Sequence, residues 1–355
     1  MRRSITSTMS HSFHLSFIFA VTIAVSVSLG MKSAHAAPPG SCPVLITSCG
    51  CVITKPGTYT VGNDLSADQT RNPNCIEIEA DHSILNLKGN AVIGDGTGRG
   101  IGILIRKDAD HVVVQGGDEG NATPPDDAGT DGDDFPAAQA VVTQWNIGIE
   151  DDADNAVIEL FKGIGGNIFQ QDEGNATAGV FINAAKNSLL TDFQASYNGQ
   201  TGVLVRDGGG SRLSNFSAIG NETGIWLDSS DNNVISTASA AGNSKYGIWM
   251  LNSSGNVVDD CNGTSGNGDA GILLGCGTAK CTGHSRSDRN RITNSGAPGN
   301  TNGGIVIEKH SNDNVVAVTH NDGNPAQKDM VDLNPHCGGN LWYNNTGSGS
   351  QDCIH

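Results

Sequence analysis

Phe181, Trp226 and Trp249 each stand two residues after a glycine, and Arg206 and Asp228 each stand four residues after one. If those glycines mark equivalent points of a repeating unit, the five side chains share one surface. An exposed ring offers an apolar face to the C–H side of a sugar, and a guanidinium beside it can clamp an acidic ring or take a proton from it. Two carboxylates about 5–9.5 Å apart can hydrolyse a glycosidic bond, and Asp207 and Asp228, one repeat apart, are the candidates. The competing account is an apolar column with a surface ion pair worth at most ~1 kcal/mol. A second chemistry lies between Asp118 and Gln139, where seven acids stand with no basic residue. Asp127, Asp131, Asp133 and Asp134 could supply hard oxygens to Ca²⁺, although no glutamate closes the loop as a calcium loop requires; a solvated acidic loop is the alternative. His82, His111, His284, His310, His320 and His336 lack ligand spacing, so no cofactor is expected and Ca²⁺ is the one candidate ion.

The elements that must position these residues repeat. Gly179-Val180-Phe181-Ile182 is followed by Gly202-Val203-Leu204-Val205, Gly224-Ile225-Trp226-Leu227, Gly247-Ile248-Trp249-Met250 and Gly271-Ile272-Leu273-Leu274, at spacings of 23, 22, 23 and 24 residues. A fixed period of that length is the mark of a stacked repeat. Within each unit the apolar-x-apolar run after the glycine reads as a half-buried strand. A second short apolar run follows, as in Asn233-Val234-Ile235 and Asn256-Val257-Val258, and a small polar third segment ends in Asn198, Asn221, Asn243 or Asn267. Three short strands in about 22 residues describe one rung of a single-stranded, right-handed parallel β-helix. One rung alone buries four or five aliphatic side chains, too few to offset ordering its backbone at ~1–2 kcal/mol per residue. Stacked rungs share a core. Stacking also predicts amide ladders of the recurring Asn. The glycine suits either a positive φ or close approach of the next rung.

The chain divides into residues 1–36, an exported leader; 37–74, an N-terminal cap; 75–334, a solenoid of about ten rungs; and 335–355, a C-terminal cap. The leader carries Arg2 and Arg3, an apolar run from Leu15 to Leu29 and Ala34-His35-Ala36, a cleavage-site pattern. The run is too short and too rich in Ser and Thr for a membrane span. Cleavage would remove three basic residues and no acid, taking the formal net charge from −17 to −20. That charge argues against nucleic acid and anionic membrane as partners. All nine cysteines follow residue 36, which fits a secreted or periplasmic protein. Open β-helix ends invite edge pairing, and disulfides could tie the caps that cover them. The expected bonds are Cys337–Cys353, Cys276–Cys281 and two among Cys42, Cys49, Cys51 and Cys75, leaving Cys261 as a buried thiol. Long rungs carry insertions at 118–139, after Gly148 and at 275–288; the last is basic, with Lys280, His284 and Arg286.

The Gly-Ile-x-Leu, Asn-x-Ile and Asn-x-x-x-Gly signals resemble the parallel β-helix repeat family of the pectate-lyase-like superfamily. Asn334-Pro335-His336-Cys337-Gly338-Gly339-Asn340-Leu341-Trp342 followed by Cys353 is similar to the C-terminal cap of secreted bacterial members. The resemblance covers roughly residues 45–355 and implies the fold more specifically than an activity, since the superfamily holds polysaccharide lyases, polygalacturonases, pectin esterases and alginate epimerases. The Gly-His-Gly of polygalacturonases, the Asp-Pro-His of alginate epimerases and the Trp-Ile-Asp-His of pectate lyases are absent. The expectation is a polysaccharide or cell-surface partner held on the outward face around Phe181, Trp226 and Trp249, with Arg206, Asp207 and Asp228 as catalytic candidates. The alternative is a non-catalytic extracellular scaffold.

Overall fold

In each coil the side chains that alternate inward after the glycine are aliphatic, and they fix the winding. Val203 and Val205, Ile225 and Leu227, Ile248 and Met250, and Ile272 and Leu274 are all fully buried. The computed structural model describes residues 40–67, 73–117, 140–165, 174–275, 286–324, 328–351 and 354. Equivalent residues of successive coils are hydrogen-bonded parallel partners: Val203 pairs with Ile225, Ile225 with Ile248, Ile248 with Ile272, and Ile272 with Ile305. The result is two long parallel sheets. The first has twelve strands, from Gly40–Ser41 to Met330–Asp332; the second has fifteen and includes every coil's next run, ending in Leu341–Tyr343. One continuous apolar core fills the space between them.

Two expectations change in detail. Among the described residues the third segment of the coil is a separate strand only in the first coils, at Leu65–Ser66, Val92–Ile93 and Ala140–Thr143. In Val157–Ile164, Leu189–Gln194, Arg212–Ser217 and Val234–Ser239 it is continuous with the second strand. The corner is a single residue in the left-handed region: Leu160, Asp192, Asn215 or Thr237, at φ +62, +55, +52 and +49°. The stacking also starts earlier than residue 75, because Gly40–Ser41 and Cys51–Ile53 already pair in the first sheet. The stretch expected as a cap is itself coiled, and Cys42–Cys51 and Cys49–Cys75 tie it.

The repeated glycine is there for space. A Cβ on Gly224 would lie 2.7 Å from the Gly247 carbonyl and 2.8 Å from Asn243 Nδ2, closer than any side chain can come. That amide belongs to the predicted ladder. Asn175, Asn198, Asn221, Asn243 and Asn267 each donate from Nδ2 to the Oδ1 of the Asn one coil on, ending at Asn300. Asn300 donates its backbone N–H to Asn324, and Asn324 donates to Asp329. A second ladder runs Asn233, Asn256, Asn290, Asn314, Asn340 and ends on Asp332. These buried amides are satisfied by their own repeats, which removes the desolvation cost of an unpaired polar group.

Cys337 is also disulfide-bonded; Cys353, its expected partner, lies outside the described residues, as do Cys276 and Cys281. Cys261 is a free, fully buried thiol, and burial pushes it up to about 12, so it is no nucleophile. The leader 1–36 and the acidic stretch holding Asp127, Asp131, Asp133 and Asp134 lie outside the described residues too. Among the described residues no helix is long and apolar enough to cross a membrane.

Candidate functional site

The outward residues of the first sheet form two rows. The first runs Leu104, Glu150, Phe181, Leu204, Trp226, Trp249, Leu273, Val306, Val331, each paired in register with the next. The second stands two residues further on and includes Asp152, Asn183, Arg206 and Asp228. The register therefore brings together Phe181, Trp226, Trp249, Arg206 and Asp228, as the spacing predicts.

The rings do not offer their faces outward. Trp226 and Trp249 stack along the solenoid axis with centroids 4.5 Å apart and planes 11° from parallel. Tyr246 leans on Trp249 at 5.2 Å. Leu204 is short, and it leaves a gap between Phe181 and Trp226 that the Arg206 guanidinium fills, 5.5 Å from one ring centroid and 5.8 Å from the other. The expectation of free aromatic faces for stacking sugars changes in part: Trp226 has Trp249 on one side and the Arg206 guanidinium over its ring, Arg206 also lies over Phe181, and Tyr246 of the same strand leans on Trp249. Trp249 Nε1 donates to the Gly275 carbonyl at 2.8 Å. Trp226 Nε1 is buried without a partner.

The guanidinium groups on this surface are already engaged. Arg206 Nε donates to Asp228 Oδ2 at 3.0 Å. Arg106 holds Glu77 through Nη2 at 2.6 Å and Nε at 3.2 Å. Asn183 Nδ2 donates to Asp152 Oδ1 at 3.0 Å. Asp207 does not join the row. It sits exposed at φ +54° on the turn, with its N–H donating to the Asp228 carbonyl, so the Asp207–Asp228 pair is not assembled as a carboxylate pair on this face.

Sequence reasoning passed over Glu150. It lies half-buried between Leu104 and Phe181. Burial, and then the nearby charge of Asp152, push its carboxyl up to about 7 against the weaker pull of Arg106. Its signal was its place in the outward row, where it alternates with apolar residues. Sequence reasoning also missed a groove of about 400 Å³ at the other end of the face, lined by Tyr246, Asp269, Leu273, Val306, Glu308 and Lys328 among others. Tyr246, Ala270 and Leu273 form an apolar cluster separate from the core, with Trp249 and Val306 against it. Burial, the Asp269 charge and a hydrogen bond with Asp269 push the Tyr246 hydroxyl up to about 12, so it stays protonated. Among the described residues no three His, Cys, Asp or Glu side chains come together for a metal ion.

A family profile described as "Right handed beta helix region" matches residues 148–283 and 178–346, together more than half of the chain. No curated protein matches. The Dettilon tailspike protein aligns over 84% of this chain and 60% of its own, at 13% identity and a TM-score of 0.55; the chain thus spans about three-fifths of that protein's length. The periplasmic alginate epimerase AlgG aligns over 85% of this chain and 76% of its own at 15% identity and TM-score 0.39. The Azotobacter vinelandii mannuronan C-5 epimerase AlgE6 A-module aligns over 85% and 86%, also at 15% and 0.39. At these identities the likeness is one of fold. With coils stacked in register over two parallel sheets, and the profile matched across most of them, the chain belongs to the right-handed β-helix family.

Proposed function

We propose that the protein is exported and binds a polysaccharide along the outer face of the first sheet, from Glu150 through Phe181, Arg206, Trp226, Asp228 and Trp249 to the groove beside Tyr246. The register carries the reading: nine successive coils set a row of mostly ringed and aliphatic side chains, four of them in succession add Asp152, Asn183, Arg206 and Asp228 beside it, and the row leads into a recess. The pectate-lyase-like kind of fold supports polysaccharide as the ligand class. Contact is by ring edges, aliphatic floor and carboxylate acceptors. Glu150 combines a near-neutral proton affinity with a place on the face, which suits a proton-transfer group; processing of the bound glycan would run through it. Export is supported by the leader pattern and by the two disulfides near the N-terminus. Asp127, Asp131, Asp133 and Asp134 are the proposed ligands if Ca²⁺ takes part.

The test is a panel of neutral, amino and acidic glycans titrated into the purified protein, with Ca²⁺ and with chelator, read by tryptophan fluorescence and by product release. A saturable change that Asp228→Asn or Trp249→Phe weakens is expected. New reducing ends or unsaturated products lost in Glu150→Gln would add turnover. Silence toward every glycan class would end the proposal.

A further inference from the structure

Among its described residues, the face that would hold the glycan has almost no positive charge to spare. Among the described residues Arg106 is committed to Glu77, Arg206 to Asp228 and two rings, and Lys245, at the rim beside Tyr246, to Glu222. Lys328 alone offers an ammonium to the groove, against the carboxylates of Asp269 and Glu308. Along the row stand Glu150 and Asp152 as well, and the whole chain carries −17. A polyuronate brings a carboxylate with every ring. It would meet the carboxylates of Asp152 toward one end and of Asp269 and Glu308 in the groove, on a surface whose described guanidinium groups are already neutralised. The groove itself is built for a different ligand. Leu273, Val306 and Val331 form an apolar floor, and Asp269 and Glu308 are acceptors above it. The Tyr246 hydroxyl is engaged with Asp269 and protonated at any ordinary pH.

Resting on the polysaccharide-binding reading above, we infer that the ligand is a glycan without acidic groups. One of its rings lies in this groove with its C–H face on Val306 and Val331, and its hydroxyl or amino hydrogens are accepted by Asp269 and Glu308. Carboxylates accept from hydroxyls more strongly than neutral groups do, and from ammonium more strongly still. Both ligand sources share this donor chemistry, and the experiment separates them.

Calorimetric titrations of the full protein would compare glucan oligosaccharides, chitosan oligosaccharides, and galacturonan and alginate oligosaccharides of equal length, at low and moderate salt. The expected result is Kd at least tenfold lower for the glucan or the chitosan series than for either uronate series. A chitosan preference that fades with salt would identify amino donors; a salt-insensitive glucan preference would identify hydroxyls. Asp269→Asn and Glu308→Gln should each raise Kd five- to twentyfold for the preferred series. Uronates bound as tightly as the others, or more tightly, would overturn the inference while leaving polysaccharide binding intact. So would an unchanged Kd in both folded variants, which would move the ring out of the groove. The comparison of classes on the unaltered protein needs no variant to fold. Failure of every class to bind would remove the polysaccharide reading and this inference together.

Discussion

The two sheets share one winding and differ on their outer surfaces. In the second sheet the outward row reads Val113, Val157, Leu189, Arg212, Val234, Val257, Arg291, Val315, Leu341. Beside it stand Thr191, Ser214, Ser236 and other short or polar side chains. In the first sheet the same positions hold stacked indoles, a sandwiched guanidinium, a carboxyl with raised proton affinity and a recess. The coil requires only that alternate residues point inward and be mostly apolar, and both sheets meet that requirement with few exceptions. The stacked rings and the sandwiched guanidinium of the first sheet are therefore additions that folding does not demand, and they fall on the face proposed to bind the glycan.

The comparison can be broken at its inward half first. Ile248 in the first sheet and Ile235 in the second are both fully buried. Replacing either by Ala should cost similar amounts, as much as about 5 kcal/mol, in denaturant unfolding; unequal costs would mean the sheets do not share one core. One inward residue should distinguish them. Asp151 of the first sheet is fully buried, accepts from Ser188 Oγ at 2.7 Å and from the Ala153 N–H at 3.1 Å, and is pushed up to about 7 chiefly by burial. The folded chain then holds this proton more tightly than the unfolded chain does. Its contribution is full below about pH 4, is lost as the pH rises toward 7, and is flat above. The loss is on the order of 4 kcal/mol, and Asp151→Asn should flatten that part of the stability profile.

Outward positions should diverge. Trp249→Ala removes a ring held between Trp226 and Tyr246 together with its bond to Gly275, and should cost about 2–3 kcal/mol. Val257→Ala, outward and half-buried in the second sheet, should cost under about 1 kcal/mol and leave glycan binding as it was. The smallest effect is the Arg206–Asp228 coupling. Both side chains are partly exposed, at 38% and 20%, so a double-mutant cycle should return no more than about 1 kcal/mol.

The winding was legible because its rule is periodic: inward valines and isoleucines, the glycine beneath the next coil's carbonyl, and the laddered Asn198, Asn221, Asn243 and Asn267 all recur with the coil. The fused third strand was not, because Asp192 and Asn215 signal a left-handed corner and Thr237 and Leu160 do not. Spacing placed Phe181, Trp226 and Trp249 in one row, yet said nothing of side-chain rotation, which decides that Trp226 stacks on Trp249 and that Arg206 lies over Phe181 and Trp226. Asp207 misled for a related reason: the strand ends at Arg206, and a turn residue next in sequence leaves the row. The groove escaped because turn residues from different coils, Asp269, Asn302 and Lys328, meet Ser350 from near the C-terminus only after winding.

The amide ladders point one way. Each Asn gives hydrogens toward the C-terminal end, and each series stops on an aspartate, which only accepts. Asp329 receives four donors, from Asn324 and Ser348. Burial alone would raise its carboxyl, but those hydrogen bonds together hold it below the usual range. Asp332 receives four more, from Asn334, Asn340 and Trp342. Ser348 and Ser350 then close over this last coil, the one donating to Asp329 and the other accepting from the Asp332 N–H. A duplicated coil spliced between Asn221 and Asn243 would find a donor below and an acceptor above, so the ladders let this solenoid lengthen from within.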